Sequence, residues 1–201
     1  GGSPVVIAYF TGDSAAAAQV PAEKLTHIIY SFGHLEGSAV SIARKGAPEA
    51  LRALTALHTR NPSIKVQVAL GGWGGCRTCS EVFSTQKGRR DFARSVHELC
   101  RKYGLDGIDV DWEYPSIAGY PGHPYARNDR QHFTDLIRTL RRELGPQAEI
   151  SFAAGGFKAF VDSAVDWKSL EPLIDRVNLM TYDLVTEGSP ITGHHTPLYS
   201  S

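Results

Sequence analysis

The 201-residue sequence predicts an α/β fold, in which strands alternate with helices around a largely parallel sheet. Six short runs of apolar and β-branched residues recur along the chain, and each run ends at a glycine-rich or polar break. Stretches with the periodicity of amphipathic helices lie between several of these runs. The predicted strands span residues 5–10, 27–33, 64–70, 105–112, 149–154 and 176–182.

Three stretches between the strands place apolar residues three or four positions apart, which is the spacing of one helix face. Pro48 precedes the first stretch, and Asn128 precedes the third, where it is expected to act as the N-cap. The three stripes consist of Leu51, Leu54 and Leu57; Phe92, Val96, Leu99 and Tyr103; and Phe133, Leu136, Ile137, Leu140 and Leu144. Helices in these places are typical of β/α units.

The composition excludes several classes of protein. Because 21 Lys and Arg residues balance 21 Asp and Glu residues, bulk electrostatic attraction to nucleic acid or to an anionic membrane is not expected. The apolar runs are much shorter than the roughly 20 residues that span a bilayer. With 42% hydrophobic residues and no repeat or linker, the chain is expected to be one domain over residues 1–201.

The three cysteines cannot form a complete disulfide framework within the chain, because their number is odd. Cys76 and Cys79 form a C-x-x-C motif in a glycine-rich stretch, and Cys100 stands alone on a predicted helix. A small loop disulfide or two free thiols explain the motif best. A redox-active pair, as in a thiol–disulfide oxidoreductase, and a metal site remain as alternatives, although two ligands do not make a zinc site.

The fourth predicted strand carries three acidic residues on one face. Successive side chains of a strand point to opposite faces, so Asp109, Asp111 and Glu113 lie together. The other face is apolar, with Ile108, Val110 and Trp112. Three carboxyl groups in such a strand are costly to bury unless function retains them, and crowding pushes their pKa values apart. The acids therefore predict a site for general acid catalysis.

Six parallel strands fit either an open doubly wound sheet or part of an eight-stranded β/α barrel. The Gly-Gly-Trp-Gly-Gly stretch at 71–75 fits no phosphate-binding motif of the first architecture. Glu113 would lie at the C-terminal end of its strand, where β/α barrels place their active sites. These two observations favour the barrel.

Positions 106–115 read D-G-I-D-V-D-W-E-Y-P and resemble the D-x-x-D-x-D-x-E signature of glycoside hydrolase family 18, the chitinases. Further stretches resemble that family in the expected order: V-I-A-Y-F at 6–10, H-I-I-Y-S-F at 27–32, A-L-G-G-W at 69–73, N-L-M-T-Y-D at 178–183 and T-G-H-H-T-P-L-Y at 192–199. The resemblance covers nearly the whole chain. It implies a (β/α)8 TIM barrel of which this chain holds strands one to six, without strands seven and eight.

The resemblance also implies a retaining mechanism in which the substrate's own 2-acetamido group is the nucleophile. Glu113 would be the general acid and later the general base. Asp111 would hold the acetamide N–H, and Asp109 would share a proton with it. The Tyr182 hydroxyl would hydrogen-bond the acetamide carbonyl and fix it for in-line attack. No metal or cofactor is implied.

Five further residues are expected to contact substrate, although core packing is an alternative for most of them. Trp73 leaves its strand after two glycines, where its indole is expected to stack on a sugar. The five residues are Tyr9, Phe32, Trp73, Met180 and Asp183.

Two other residues have different expected roles. Ala69 stands where some members of the family carry serine, so one hydrogen bond to the buried acids is expected to be missing. Asp106 is expected to be a turn or strand-start residue.

The predicted function is hydrolysis of β-1,4 bonds in chitin or N-acetylglucosamine oligosaccharides. An endo-β-N-acetylglucosaminidase that acts on N-glycans and a non-hydrolytic chitin-binding lectin remain as alternatives. Endo and exo action are not distinguished by the sequence. The resemblance implies a secreted or periplasmic location. Because strands seven and eight are missing, a second chain or C-terminal fragment is expected to complete the barrel.

Overall fold

A computed structural model describes residues 2–180, and one curved sheet organises that part of the chain. The sheet has the order β1-β2-β4-β5-β6-β7, in which every neighbouring pair is parallel. A short strand, β3, pairs with β2 in the antiparallel direction. The strands are β1 (Ile7–Phe10), β2 (His27–Glu36), β3 (Ala39–Ser41), β4 (Lys65–Gly71), β5 (Gly107–Asp111), β6 (Glu149–Gly155) and β7 (Arg176–Met180).

The six predicted strands are confirmed, with differences at their ends. The second strand runs on to Glu36, because a turn at Gly37 folds the chain back into β3, which the sequence analysis did not predict. The fourth predicted strand is shorter than residues 105–112. Asp106 stands before it and accepts hydrogen bonds from the backbone N–H of Val66 (2.7 Å) and from His58 Nε2 (2.8 Å). Asp106 is therefore the strand-start residue that was predicted.

The sheet curls into a half-barrel of six parallel strands. Its two outermost parallel strands are β1 and β7, yet the Asn178 amide on β7 donates to the Tyr9 hydroxyl on β1 across 3.2 Å. Such a contact requires the inner face of the sheet to close upon itself. An open doubly wound sheet keeps its edges apart, so the prediction of a partial barrel is confirmed.

Helices cover the outer face of the half-barrel. The α-helices are α1 (Ser14–Ala18), α2 (Ala47–Thr55), α3 (Cys79–Phe83), α4 (Gln86–Tyr103), α5 (Asp129–Leu144) and α6 (Trp167–Leu170). Trp112, directly after β5, packs between them, with its ring 5.6 Å from Phe83 and 6.1 Å from Phe133. None of the helices within residues 2–180 combines the length and the apolar character needed to cross a bilayer.

The start of α5 differs from the prediction. Asn128 occupies the N-cap position, but its side chain makes no capping hydrogen bond because its backbone is helical rather than extended. The buried carboxylate of Asp129 accepts instead from the backbone N–H groups of Ala126 (2.7 Å) and Ser116 (3.2 Å) and from Ser80 Oγ (2.7 Å). Asp129 thereby ties the loop that follows β5 to the outer helices.

Candidate active site

The three predicted acids form a buried row along the inner face of the half-barrel. Asp109, Asp111 and Glu113 are 0%, 2% and 7% exposed. The first two belong to β5, and Glu113 lies two residues past its C-terminal end. Ile108 and Val110 on the opposite face are also fully buried, which confirms the predicted division of the strand into an acidic and an apolar face. We call these three residues the acidic row.

Asp109 is surrounded by hydrogen-bond donors. Its Oδ2 accepts from the Tyr9 hydroxyl (2.9 Å), and its Oδ1 accepts from Ser151 Oγ (2.6 Å) and Asn178 Nδ2 (3.1 Å). Burial, together with the charges of Asp109 and Asp111, raises the pKa of Tyr9 well above its usual value, so its hydroxyl remains a donor. Three side-chain donors thus hold the Asp109 carboxyl group in place.

Asp111 is held mainly in its protonated form. Burial and the negative charge of neighbouring Asp109, to which it is hydrogen-bonded, raise the pKa of Asp111 well above its usual value. Among residues 2–180, no group donates a hydrogen bond to its Oδ1. The two carboxyl groups therefore form a coupled pair in which the proton resides mainly on Asp111. The unmatched oxygen is able to accept one further hydrogen bond.

Glu113 is a carboxyl group with a pKa near neutrality. Burial raises its pKa from 4.5 to about 7, although a hydrogen bond with Tyr114 acts in the other direction. At neutral pH a large fraction of Glu113 therefore carries a proton. A carboxylic acid with such a pKa can donate its proton to a leaving group and take one from water in a later step.

A second layer of polar side chains lies below the acidic row, and the sequence analysis missed it. The buried guanidinium of Arg176 donates to Glu149 Oε1, Gln67 Oε1 and Asn178 Oδ1, each at 2.9 Å. Glu149 also pairs with His27 Nε2 at 2.8 Å. The sequence does contain a signal for this layer, because polar residues occupy alternate positions of strands that are otherwise apolar. We call Gln67, Glu149, Ser151, Arg176 and Asn178 the polar layer.

The charges of the polar layer are balanced locally. Burial opposes ionisation of Glu149, but His27 and the Arg176 guanidinium together hold its pKa below its usual value. Burial lowers the pKa of His27 and outweighs the hydrogen bond with Glu149. Glu149 and Arg176 thus form a buried ion pair, which is stable only while both partners and their hydrogen bonds are present.

Ala69 is aligned with Asp109 in the register of β4 and β5, and it has no hydroxyl to offer. The expected loss of one hydrogen bond to the acids does not leave Asp109 short of donors, because Ser151 on the other neighbouring strand supplies a hydroxyl. This replacement could not be predicted from the sequence, since it depends on which residues the parallel register brings side by side.

The glycines after β4 let the chain pass close to the acidic row. Gly71 has φ 105°, and a Cβ there would lie 2.4 Å from the Asp111 carbonyl oxygen. Gly72 has φ 78°, and a Cβ there would meet the Phe32 ring at 2.9 Å. Trp73 follows and is 57% exposed, as the prediction of a surface indole requires. Phe32 and Trp73 therefore lie at the same end of the half-barrel as Glu113.

Met180 is the last described residue of β7, and strand alternation places it on the same face as Asn178. It is partly buried against the core. Tyr182 and Asp183 lie outside the described residues. The Tyr9 hydroxyl donates a hydrogen bond to Asp109, while the predicted contact of Tyr9 with substrate stays a prediction.

The cysteines are in two different states. Cys76 and Cys79 form a disulfide, with their Cα atoms 5.3 Å apart, rather than two free thiols. Burial raises the pKa of Cys100 to about 12, so its thiol does not ionise near neutral pH. Within residues 2–180, no three His, Cys, Asp or Glu side chains are arranged as metal ligands.

Comparison with known proteins agrees with this geometry. The model of glycosyl hydrolases family 18 matches residues 5–201. Chitotriosidase-1 of Mus musculus is 29% identical over 183 residues, covering 87% of this chain and 38% of that protein. The endochitinase of Manduca sexta is 33% identical over 193 residues, covering 90% of this chain and 34% of that protein. The chain thus spans little more than a third of the length of these curated relatives.

A solved structure shows the same relationship in three dimensions. The chitinase domain of the spore coat protein CotE from Clostridium difficile superposes with a TM-score of 0.81 at 33% identity. The match covers 99% of this chain and 56% of that chain, so the half-barrel corresponds to about half of a family 18 domain. The family model, the relatives and the fold agree, and the chain belongs to family 18 of the glycosyl hydrolases.

Proposed function

We propose that this chain is the acid-bearing part of a chitinase, which hydrolyses the β-1,4 bonds of chitin and N-acetylglucosamine oligosaccharides. The observation that supports this most directly is the acidic row, whose outermost member has a pKa of about 7 above two deeply buried carboxyl groups. The relatives named chitotriosidase-1 and endochitinase carry names that point to the same substrate class.

Glu113 performs both proton transfers in the proposed reaction. It first donates its proton to the glycosidic oxygen as the bond to the anomeric carbon breaks. The carbonyl oxygen of the substrate's 2-acetamido group attacks that carbon from the opposite face and forms an oxazolinium ion. Glu113 then removes a proton from the water that attacks the anomeric carbon. Two displacements return the anomeric configuration to its original state.

The buried pair stabilises the intermediate. Asp111 accepts a hydrogen bond from the acetamide N–H, for which its unmatched Oδ1 is suited. As positive charge develops on the oxazolinium ion, the shared proton shifts towards Asp109 and leaves negative charge on Asp111. The Tyr182 hydroxyl holds the acetamide carbonyl in the proposed mechanism. Tyr9 keeps Asp109 in place through the hydrogen bond of 2.9 Å.

The remaining predicted contacts belong to the same proposal. Phe32 and Met180 line the site of the cleaved sugar, Asp183 hydrogen-bonds to it, and the Trp73 indole stacks on a neighbouring sugar. A secreted or periplasmic location fits an enzyme whose substrate is an extracellular polysaccharide.

Release of product from a fluorogenic chito-oligosaccharide tests the proposal. Glu113→Gln is expected to lower kcat by about a hundred- to ten-thousandfold, because the amide has no transferable proton. Glu98→Gln, a change of the same size on the exposed face of α4, is the matched control and is expected to leave kcat unchanged. The catalytic efficiency of the unaltered protein should fall above pH 7, where Glu113 loses its proton.

The stereochemistry of the product provides a second test. Proton NMR of the fresh product should show the anomer of the substrate before mutarotation. Undiminished turnover by the Glu113→Gln variant, or an inverted product, would contradict the mechanism. Tight binding of chito-oligosaccharide without cleavage, also by a chain that spans a complete family 18 domain, would indicate the lectin alternative instead.

A further inference from the structure

Asp129 is a fully buried acid that takes no part in the proposed reaction. It is the first residue of α5 and is 0% exposed. Its Oδ1 accepts from Ser80 Oγ (2.7 Å), and its Oδ2 accepts from the backbone N–H groups of Ser116 (3.2 Å) and Ala126 (2.7 Å). Burial of a carboxyl group is costly unless such donors replace the lost water. The donors belong to three separate segments, so Asp129 joins α3, the loop after β5 and the start of α5.

Ser116, one of these donors, lies three residues after Glu113 in an unusual backbone conformation. Among residues 2–180 it is the only non-glycine residue with a positive φ, which is 66°. Residues with a Cβ seldom adopt this conformation, and they keep it only where the contacts around them impose it. The Ser116 N–H donates to Asp129, and the Ser116 hydroxyl donates to the Arg127 carbonyl oxygen across 3.1 Å. The residues around the start of α5 therefore hold the turn at Ser116.

The turn at Ser116 brings the loop back onto Glu113. A Cβ on Gly119 would lie 2.3 Å from the Glu113 carbonyl oxygen, so the backbone at Gly119 packs directly against the backbone of Glu113. Only a residue without a side chain can approach so closely. Glu113 is thus enclosed by the loop that Asp129 anchors, and this enclosure contributes to the low exposure of Glu113, which is 7%.

We propose that Asp129 is a positioning residue for Glu113. Asp129 does not touch the substrate. It fixes the turn at Ser116, and this turn keeps the Glu113 backbone in the place from which the carboxyl group reaches the cleaved bond. The reaction itself rests on the proposed function. If Asp129 instead only stabilised the start of α5, its loss would lower the stability of the fold without a change at Glu113.

Two substitutions of Asp129 separate its hydrogen bonds from its charge. In Asp129→Asn, the amide oxygen can still accept from the N–H groups of Ser116 and Ala126. The amide nitrogen would then donate to Ser80 Oγ, because a hydroxyl oxygen is an acceptor as well as a donor. Asp129→Ala removes all three hydrogen bonds. Leu140→Ala, which truncates a fully buried side chain of the same helix, is the matched control for lost stability.

Carbon-13 NMR titration of the Glu113 carboxyl group is a test that needs no turnover, and its resonance is assigned by its absence in Glu113→Gln. Burial raises the pKa of Glu113 to about 7, so a displaced loop that admits water should lower it. The midpoint should lie about one pH unit lower in Asp129→Ala and be unchanged in Asp129→Asn and Leu140→Ala. Ser80→Ala should lower it by less, and this variant replaces Asp129→Ala if the latter does not fold. An unchanged midpoint, or an equal decrease in Leu140→Ala, would overturn the proposal.

Hydrolysis of the fluorogenic chito-oligosaccharide is measured on the same variants. Asp129→Ala should lower kcat about ten- to a hundredfold with little change in KM, because Glu113 is misplaced while the contacts with substrate remain. Asp129→Asn and Leu140→Ala should keep most of kcat. Absence of turnover in the unaltered protein would refute the proposed function, and the titration would then decide the role of Asp129 by itself. Turnover that requires Glu113 and is undiminished in Asp129→Ala would refute the positioning role alone.

Discussion

Replacing Glu113 by Gln should make the protein more stable at alkaline pH. The folded protein binds the Glu113 proton more tightly than the unfolded chain does, because burial raises the pKa from 4.5 to about 7. Ionisation of Glu113 in the fold therefore costs free energy as the pH rises. The stabilising contribution of the proton is complete below pH 4.5 and is lost as the pH passes through 7. Because the Gln side chain does not ionise, the variant does not lose stability in this way.

The size of the effect follows from the same pKa. The difference between a pKa of 4.5 in the unfolded chain and a pKa of about 7 in the fold corresponds to about 3 kcal/mol in the free energy of unfolding. For a chain of this length, that free energy raises Tm by about 6–12 °C at pH 9. This is an upper limit, because the Gln amide is itself a polar group in a buried position. At pH 4, where the Glu113 carboxyl is protonated in both states, the variant should have no advantage.

Thermal unfolding followed by circular dichroism between pH 4 and pH 9 measures this difference. Glu98→Gln is again the control, and its difference from the unaltered protein should not vary with pH. If the Tm of Glu113→Gln exceeded that of the unaltered protein by the same amount at every pH, the increase would come from packing and not from ionisation. Absence of a gain at pH 9 would mean that the Glu113 carboxylate is well solvated in the fold, and the argument for its role as acid would fail with it.

Three further predictions concern stability and are tested by urea unfolding. Ser151→Ala should cost about 1–3 kcal/mol, because it removes a donor from a buried carboxylate and an acceptor from the polar layer. Arg176→Met should cost about 3–5 kcal/mol, since it leaves the Glu149 carboxylate without its buried partner, and adding Glu149→Gln should recover part of that loss. Cys76→Ser/Cys79→Ser should cost about 2 kcal/mol through the loss of loop closure.

Surface substitutions of the same chemical type are the controls for this set. Arg138→Met breaks an exposed ion pair with Asp135, so it should change stability by less than about 1 kcal/mol. Ser63→Ala removes an exposed hydroxyl and should have little effect. If Ser151→Ala or Arg176→Met lowered the free energy of unfolding as little as the controls do, water rather than the polar layer would be the hydrogen-bond partner of the buried groups.

The acidic row was predictable because it depends only on strand alternation within one segment. Asp109, Asp111 and Glu113 occupy every second position, and the residues between them are apolar. The stripes of α4 and α5 were predictable for the same reason, since helical periodicity is also local. These features required no knowledge of which strands are neighbours.

The polar layer was not predictable from local pattern, because its members come from different strands. Ser151 meets Asp109 only through the register of β5 and β6, and Asn178 meets Tyr9 only because the sheet closes. The β2–β3 hairpin was missed because β3 has only three residues and no clear alternation. Asn128 does not cap α5 because its backbone is helical, and Asp129 accepts from the preceding loop instead. Contacts between distant segments decided the arrangement of the polar layer.

Arg176 determines how the side-chain amides of the polar layer are oriented. A guanidinium donates hydrogen bonds and accepts none, so the two side-chain amides that it touches must turn their oxygens towards it. Asn178 Oδ1 and Gln67 Oε1 both accept from Arg176 at 2.9 Å. The nitrogen of each amide must then face the other way: Asn178 Nδ2 donates to Asp109, and Gln67 Nε2 donates to Ser151 Oγ at 3.0 Å.

The Ser151 hydroxyl is oriented by the same set of hydrogen bonds. Because its oxygen already accepts from Gln67, its single hydrogen is directed to Asp109, 2.6 Å away. Both donors to Asp109 Oδ1 are therefore oriented by one arginine that does not touch the acid itself. The arrangement fixes the position of Asp109, which together with burial raises the pKa of Asp111. A neutral residue at position 176 would free both amides to rotate, so the geometry of the acid pair, and not only the stability of the fold, depends on Arg176.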